Sequence, residues 1–283
     1  MKLSALIDAQ TLFARIRSGD VLVVDCRFEL ADPGHAARDH AQAHIPGAVY
    51  ASLDDDLSDL SKAGLGRHPL PDAAAFSATL SRWGWTPAMP VVAYDAANGA
   101  LAAARLWWML RLVGAREAAV LDGGFAAWTR AGFALDANVV RREPTRVDVV
   151  FDPAQIVYTD TLVKALKDAR TLLVDARAVP RYRGENETLD KVAGHIPGAV
   201  NRPFADNLDA EGRFKPAAQL RAEFASLLGS HRPADTIHSC GSGVTACHNL
   251  LAMEQAGLAG SRIYAPSWSG WISDPSRPVA TNS

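Results

Sequence analysis

Cysteine is scarce in this chain. Its 283 residues hold three, Cys26, Cys240 and Cys247, an odd set with no Cys-x-x-Cys pair. That argues against a disulfide framework and fits a reducing, cytoplasmic compartment. Cys240, Cys247 and His248 do not have a zinc spacing, so no metal and no cofactor are expected. An excess of charge of one sign is also missing: 29 Lys and Arg stand against 31 Asp and Glu, a formal net of −2. Without a basic face, nucleic acid and anionic membrane are not expected partners. No apolar run reaches the roughly 18 residues that cross a bilayer. Asp8 arrives before a signal-peptide core can form, so no secretory leader is expected. No six-residue glycine signature for a nucleotide follows the first apolar run, residues 21–25.

What is present is ordinary globular composition, 48% hydrophobic and 21% charged, with enough length for two domains. The chain also repeats itself. Val21-Leu22-Val23-Val24-Asp25-Cys26-Arg27 is matched by Thr171-Leu172-Leu173-Val174-Asp175-Ala176-Arg177. His44-Ile45-Pro46-Gly47-Ala48-Val49 returns as His195-Ile196-Pro197-Gly198-Ala199-Val200. Gly124-Phe125-Ala126-Ala127-Trp128 aligns with Ser267-Trp268-Ser269-Gly270-Trp271. Three matches in one order predict two homologous domains, residues 1–142 and 155–283, with a linker over about 143–154 that holds Pro144 and Pro153.

Each half alternates short apolar runs with segments of helical length. The runs at 21–25, 91–94, 118–121 and 172–175 read as buried parallel strands, and 101–112 reads as a helix ending near Gly114. The fold class is therefore α/β: two tandem domains, each a mostly parallel sheet with helices on both faces. Ligands of such sheets bind at the carboxyl ends of strands.

One such end carries the most telling stretch, Thr236-Ile237-His238-Ser239-Cys240-Gly241-Ser242-Gly243-Val244-Thr245. A β-branched run ends at Cys240, two glycines follow, and a helix is expected from about residue 244 to 255. Backbone N–H groups at a helix start stabilise anions, so a cysteine there is poised as a thiolate nucleophile. The equivalent position in the first half is Asp95, which offers no nucleophile.

These motifs make the chain resemble the two-domain rhodanese-like sulfurtransferases over nearly its whole length. The resemblance rests on the repeated Asp-x-Arg and His-Ile-Pro-Gly-Ala segments, the Trp107-Trp108 pair and the loop Cys240-Gly241-Ser242-Gly243-Val244-Thr245. It implies a catalytically silent N-terminal domain and a site in the cleft between the domains, so that a monomer suffices. It also implies transfer of sulfane sulfur by way of a persulfide on Cys240, cradled by Gly241, Gly243, Val244 and Thr245. Gly241 and Ser242 look like the 3-mercaptopyruvate form, because thiosulfate-using members usually carry basic or bulky residues there. In that form Ser242 belongs to a Ser-His-Asp relay, whose His and Asp map to His68 and Asp54. Arg181, in Arg181-Tyr182-Arg183, matches the family's carboxylate-binding arginine. A second arginine is usual about nine residues later, where this chain reads Glu187-Thr188-Leu189-Asp190-Lys191, so Lys191 or Arg183 is expected to substitute. Thiosulfate remains the alternative donor. The resemblance implies a thiophilic acceptor and leaves its identity open among cyanide, a thiol such as thioredoxin, and a biosynthetic partner.

Other residues have plainer readings. Asp25 with Arg27, Asp175 with Arg177, His44 and His195 occur in both halves, so they read as structural. Cys26 and Cys247 read as buried packing, although Cys247 has a resolving thiol as its minor reading. His238 reads as a satisfied strand histidine. The tryptophans read as core. A Cys-x5-Arg phosphatase is disfavoured because Ala246 stands six residues after Cys240, where an arginine must close the loop. A non-catalytic binding module is disfavoured by Cys240 itself.

Overall fold

Two five-stranded sheets organise the chain, each folding from one copy of the repeat. The computed structural model describes residues 4–32 and 34–281. Backbone contacts divide the chain into two units. The first comprises Met1–Asp59, Leu70–Asp152 and Glu211–Arg213. The second comprises Leu60–Pro69, Pro153–Ala210 and Phe214–Ser283.

The first unit runs β1 (Leu6–Ile7), α1 (Ala9–Ser18), β2 (Leu22–Asp25), α2 (His35–Gln42), β3 (Val49–Tyr50), α3 (Ala73–Arg82), β4 (Val91–Tyr94), α4 (Ala102–Leu112), β5 (Ala118–Leu121) and α5 (Gly124–Arg130). The strands are parallel in the order β1-β5-β4-β2-β3. β2, β4 and β5 are buried along their whole length, which is why they read as unbroken apolar runs rather than as alternation. Local signals set the helix ends. Asp8 caps α1 by accepting from Thr11 N at 2.8 Å, and Gly19 closes it at φ +74°. The core joins Leu12, Val23, Val92, Tyr94, Leu121 and Trp128.

The second unit repeats this plan with β6 (Ile156–Val157), α6 (Thr159–Ala165), β7 (Leu172–Asp175), α7 (Val179–Arg183), β8 (Val200–Asn201), α8 (Ala217–Leu228), β9 (Thr236–Ser239), α9 (Ala246–Gln255), β10 (Arg262–Tyr264) and α10 (Ser267–Trp271). Its strand order, β6-β10-β9-β7-β8, is the same and again all parallel. The middle strand β9 registers Ile237 and His238 against Leu173 and Val174, with Leu173, Ile237, Tyr264, Trp268 and Trp271 in its core.

The repeated motifs have structural work in both units. Arg27 forks onto Asp25 and also donates to Ala43 O, as Arg177 does to Asp175 and Gly194 O. His44 pairs its backbone with Asp136, and His195 pairs with Ala280. Each motif ties a strand to a distant segment of its own unit. Among the described residues no helix is long and apolar enough to cross a membrane.

Candidate active site

Cys240 follows the last residue of β9, at the carboxyl end of the middle strand, and is only 1% exposed. The next helix begins at Ala246, two residues later than the expected start, because residues 240–245 turn tightly in front of it. Gly243 sits at φ +77°, a left-handed angle that glycine adopts without strain, and its N–H points at Cys240 Sγ from 3.1 Å. Gly241 faces Arg67: a Cβ there would lie 3.1 Å from Arg67 Nη2, the far end of a side chain that is 27% exposed. Val244 is buried, and Thr245 caps α9 without a side-chain capping bond.

A second loop, between β10 and α10, braces the first. Trp268 N donates to Cys240 O at 3.0 Å, and Ser269 N to Gly241 O at 2.9 Å. The hydroxyl of Ser267 accepts from Cys240 N at 3.1 Å and lies 3.9 Å from its sulfur. Ser267 holds a left-handed φ of +51°, a strained setting for a residue with a Cβ. Its counterpart in the repeat is Gly124, at φ +57°, whose neighbour Phe125 donates to Asp95 O at 2.9 Å. The two loops thus superimpose in function, with Asp95 where Cys240 stands. In the first unit Asp95 accepts from the N–H groups of Ala97, Gly99, Leu101 and Ala103. Full burial raises its carboxyl above the usual range, against the pull of those four donors.

Ser242 and His68 meet. Nδ1 of His68 lies 2.8 Å from Ser242 Oγ, and both residues are buried. His68 belongs to Leu60–Pro69, which folds with the second unit although it precedes α3 in the chain. Asp54, the third residue of the expected relay, belongs to the first unit. Burial first, and Asp55 beside it second, raise its carboxyl above the usual range.

Arg181, on α7, lies with Nη2 and Nη1 at 3.6 and 3.7 Å from the Cβ that Gly241 lacks. Arg183 faces away to Glu185 at 3.7 Å with half its side chain exposed, and Lys191 is exposed. The cation that accompanies Arg181 beside the loop is instead Arg67, which sequence reasoning missed. Its only signal was its place next to His68.

His238 differs from its expected state. It is fully buried, and neither ring nitrogen has a hydrogen-bond partner among the described residues. Burial alone pushes its imidazole down to about 3, so it is neutral. Cys247 is also buried, its thiol on Gly243 O at 3.4 Å, and Cys26 is buried in the first unit, where full burial raises its thiol well above the ordinary range. Among the described residues no group of three or more His, Cys, Asp or Glu could hold a metal ion.

This geometry can be set beside known proteins. The profile of the Rhodanese-like domain matches twice, at residues 8–131 and 159–274. The chain belongs to the rhodanese family. A rhodanese relative from Pseudomonas aeruginosa, a probable 3-mercaptopyruvate sulfurtransferase, is 47% identical over 283 residues, 99% of each chain. SseB of Mycobacterium tuberculosis, a putative thiosulfate sulfurtransferase, is 40% identical over 97% of this chain and 96% of its own. Among solved rhodanese structures, SseA of Escherichia coli, a 3-mercaptopyruvate sulfotransferase, has a TM-score of 0.81 at 30% identity, covering 94% of this chain and all of its own.

Proposed function

We propose that this rhodanese is a sulfurtransferase that moves sulfane sulfur from 3-mercaptopyruvate to a thiophilic acceptor through a persulfide on Cys240. The observation that carries the reading is the buried Ser242–His68 contact at 2.8 Å, two residues from Cys240 in the loop. The Cys240 thiolate attacks the donor sulfur. The sulfur–carbon bond breaks, its electron pair stays on carbon as the enolate of pyruvate, and Cys240 keeps the outer sulfur as a persulfide. The donor's thiol proton must reach that enolate carbon, and a hydroxyl hydrogen-bonded to an imidazole is suited to carry it. Arg181 supplies a fork for the donor carboxylate. The Gly243 N–H is oriented to stabilise negative charge on the sulfur.

An acceptor, cyanide or a thiol such as that of thioredoxin, then takes the outer sulfur and returns the Cys240 thiolate, giving two half-reactions of ping-pong type. No disulfide joins Cys26, Cys240 or Cys247 among the described residues, which suits a reducing cytoplasm. The named residues all come from one chain, so a monomer suffices. Thiosulfate as donor is the second reading, favoured by the name of the Mycobacterium tuberculosis relative.

Two measurements test this. Cys240→Ala is expected to lose turnover with both donors, and retained turnover would remove the persulfide from the reading. Wild-type kcat/KM for 3-mercaptopyruvate is expected to exceed that for thiosulfate, and the reverse order would favour the second reading.

A further inference from the structure

The first unit departs from the repeat at one point, and a cavity opens there. In the second unit Tyr182 stacks on His195 with ring centroids 3.9 Å apart, and its hydroxyl donates to Ala199 O at 2.5 Å. His195 Nδ1 in turn donates to Tyr182 O at 2.8 Å. The same frame recurs in the first unit with His40 in place of the tyrosine. His40 stacks on His44 at 4.1 Å, and His44 Nδ1 donates to His40 O at 2.6 Å. An imidazole is shorter than a phenol, and this one turns its Nδ1 to Asp25 Oδ2 at 2.9 Å. That bond takes the place of the one to Ala199 O. Ala48, the counterpart of Ala199, lines a cavity of about 340 Å³.

That volume is in the range of small-molecule sites. His40, His44, Tyr50 and Trp83 give the cavity its rings, Arg82 and Arg142 give it two cations, and the rest of the lining is apolar. No acidic side chain lines it among the described residues. Arg82 is already held by Asp56. Arg142 is half-buried, and among the described residues its side chain donates only to the sulfur of Met89, a weak acceptor, at 3.6 Å. His44 adds a second unmet group. Its Nδ1 carries the proton given to His40 O, so Nε2 is left as an acceptor, and Nε2 is buried without a hydrogen-bond partner among the described residues. Groups of this kind are costly to leave unmet. Every lining residue belongs to the first unit, whereas Cys240, Ser242, His68 and Arg181 belong to the second.

We propose that this cavity is a second ligand site, which takes a small organic acid with a flat apolar body. The rings and aliphatic walls receive the body, and Arg142 receives the carboxylate on its fork. An inorganic anion would gain nothing from the rings, and a neutral hydrocarbon would leave Arg142 without an acid. The His40–His44 stack is held from behind by Asp25 and by the His44–His40 O bond, so this wall is formed before a ligand arrives. Binding here is independent of the reaction at Cys240.

The test uses the full-length protein, titrated in a calorimeter with phenylacetate and with its neutral amide, phenylacetamide. The wild type is expected to bind the acid more tightly than the amide. Arg142→Gln should weaken the acid at least tenfold, about 1.4 kcal/mol, and change the amide less than twofold. His40→Tyr restores the arrangement of the second unit and should close the cavity to both compounds. Ala137→Trp fills the cavity from an exposed lining position, and it serves as the filling variant if His40→Tyr does not fold. Any binding of the acid beside Cys240 would be indifferent to these substitutions in the first unit. An acid constant unchanged in Arg142→Gln, or acid binding that survives a folded filling variant, would overturn the proposal. So would a wild type that binds neither compound, or that binds acid and amide equally.

Discussion

His238 lies two residues before Cys240, inside the middle strand, and its imidazole pays for that position in acid. An ordinary histidine binds a proton near 6.5, but burial pushes this one down to about 3. As pH falls below 6.5, the unfolded chain takes up a proton that the folded chain refuses. The stability tied to His238 is therefore complete above about 6.5 and is lost progressively toward 3. At pH 5 the loss amounts to about 2 kcal/mol. His238→Leu keeps the bulk and removes the titration. Its Tm should fall less than that of the wild type between pH 7 and pH 5, as calorimetry can measure. Parallel declines would show that other groups govern the acid limb. The sequence showed this histidine in its strand but not its missing partners. A partner for a side chain inside a parallel sheet comes from neighbouring elements, and no local pattern encodes it. Cys240 was legible for the opposite reason, because strand end, glycines and helix start are consecutive in the chain.

At the scale of elements, the duplicated loops after β4 and β9 solve one problem in two ways. Both present backbone N–H groups at a helix start. Cys240 meets one of them with its sulfur, whereas Asp95 meets four with its carboxylate. The first-unit cradle is thus filled from within by Asp95, with no thiol at that position. Asp95→Ala should leave those N–H groups without an acceptor in a place that water reaches poorly. With about 1–3 kcal/mol for each buried group left unsatisfied, the loss should be at least about 3 kcal/mol. Urea unfolding measures it, and a loss below about 1 kcal/mol would mean that the loop closes on other acceptors. The strands that carry these loops were readable as apolar runs, and the repeat alone paired Asp95 with Cys240. Ser267 was less visible. Its alignment with Gly124 shows a serine where the repeat has glycine, but only the φ of +51° reveals that the hydroxyl is bent toward Cys240.

For the whole molecule, the repeat is not cut cleanly along the chain. Leu60–Pro69 precedes α3 of the first sheet yet packs with the second unit, and it delivers Arg67 and His68 there. A boundary read from sequence offsets could not show this, because a loop exchanged between units leaves the strand and helix pattern untouched. His68 was reached only through the family resemblance, and Arg67 only through its contacts. The exchange depends on a close approach at Gly66. This residue has φ +95°, and a Cβ on it would lie 2.5 Å from Pro266 O and 3.1 Å from Ser269 Oγ. Both the angle and the backbone contact exclude a side chain, so Gly66→Ala must shift the segment. The shift would pull Arg67 off Ser269 and His68 off Ser242, while Cys240 keeps its own loop. Turnover of 3-mercaptopyruvate should therefore fall at least tenfold in kcat/KM, about 1.4 kcal/mol of transition-state binding. Stability should fall by a smaller margin, since the segment is short and only His68 and Pro69 in it are buried. Wild-type turnover in Gly66→Ala would show that residues 60–69 need not hold this position for the chemistry at Cys240.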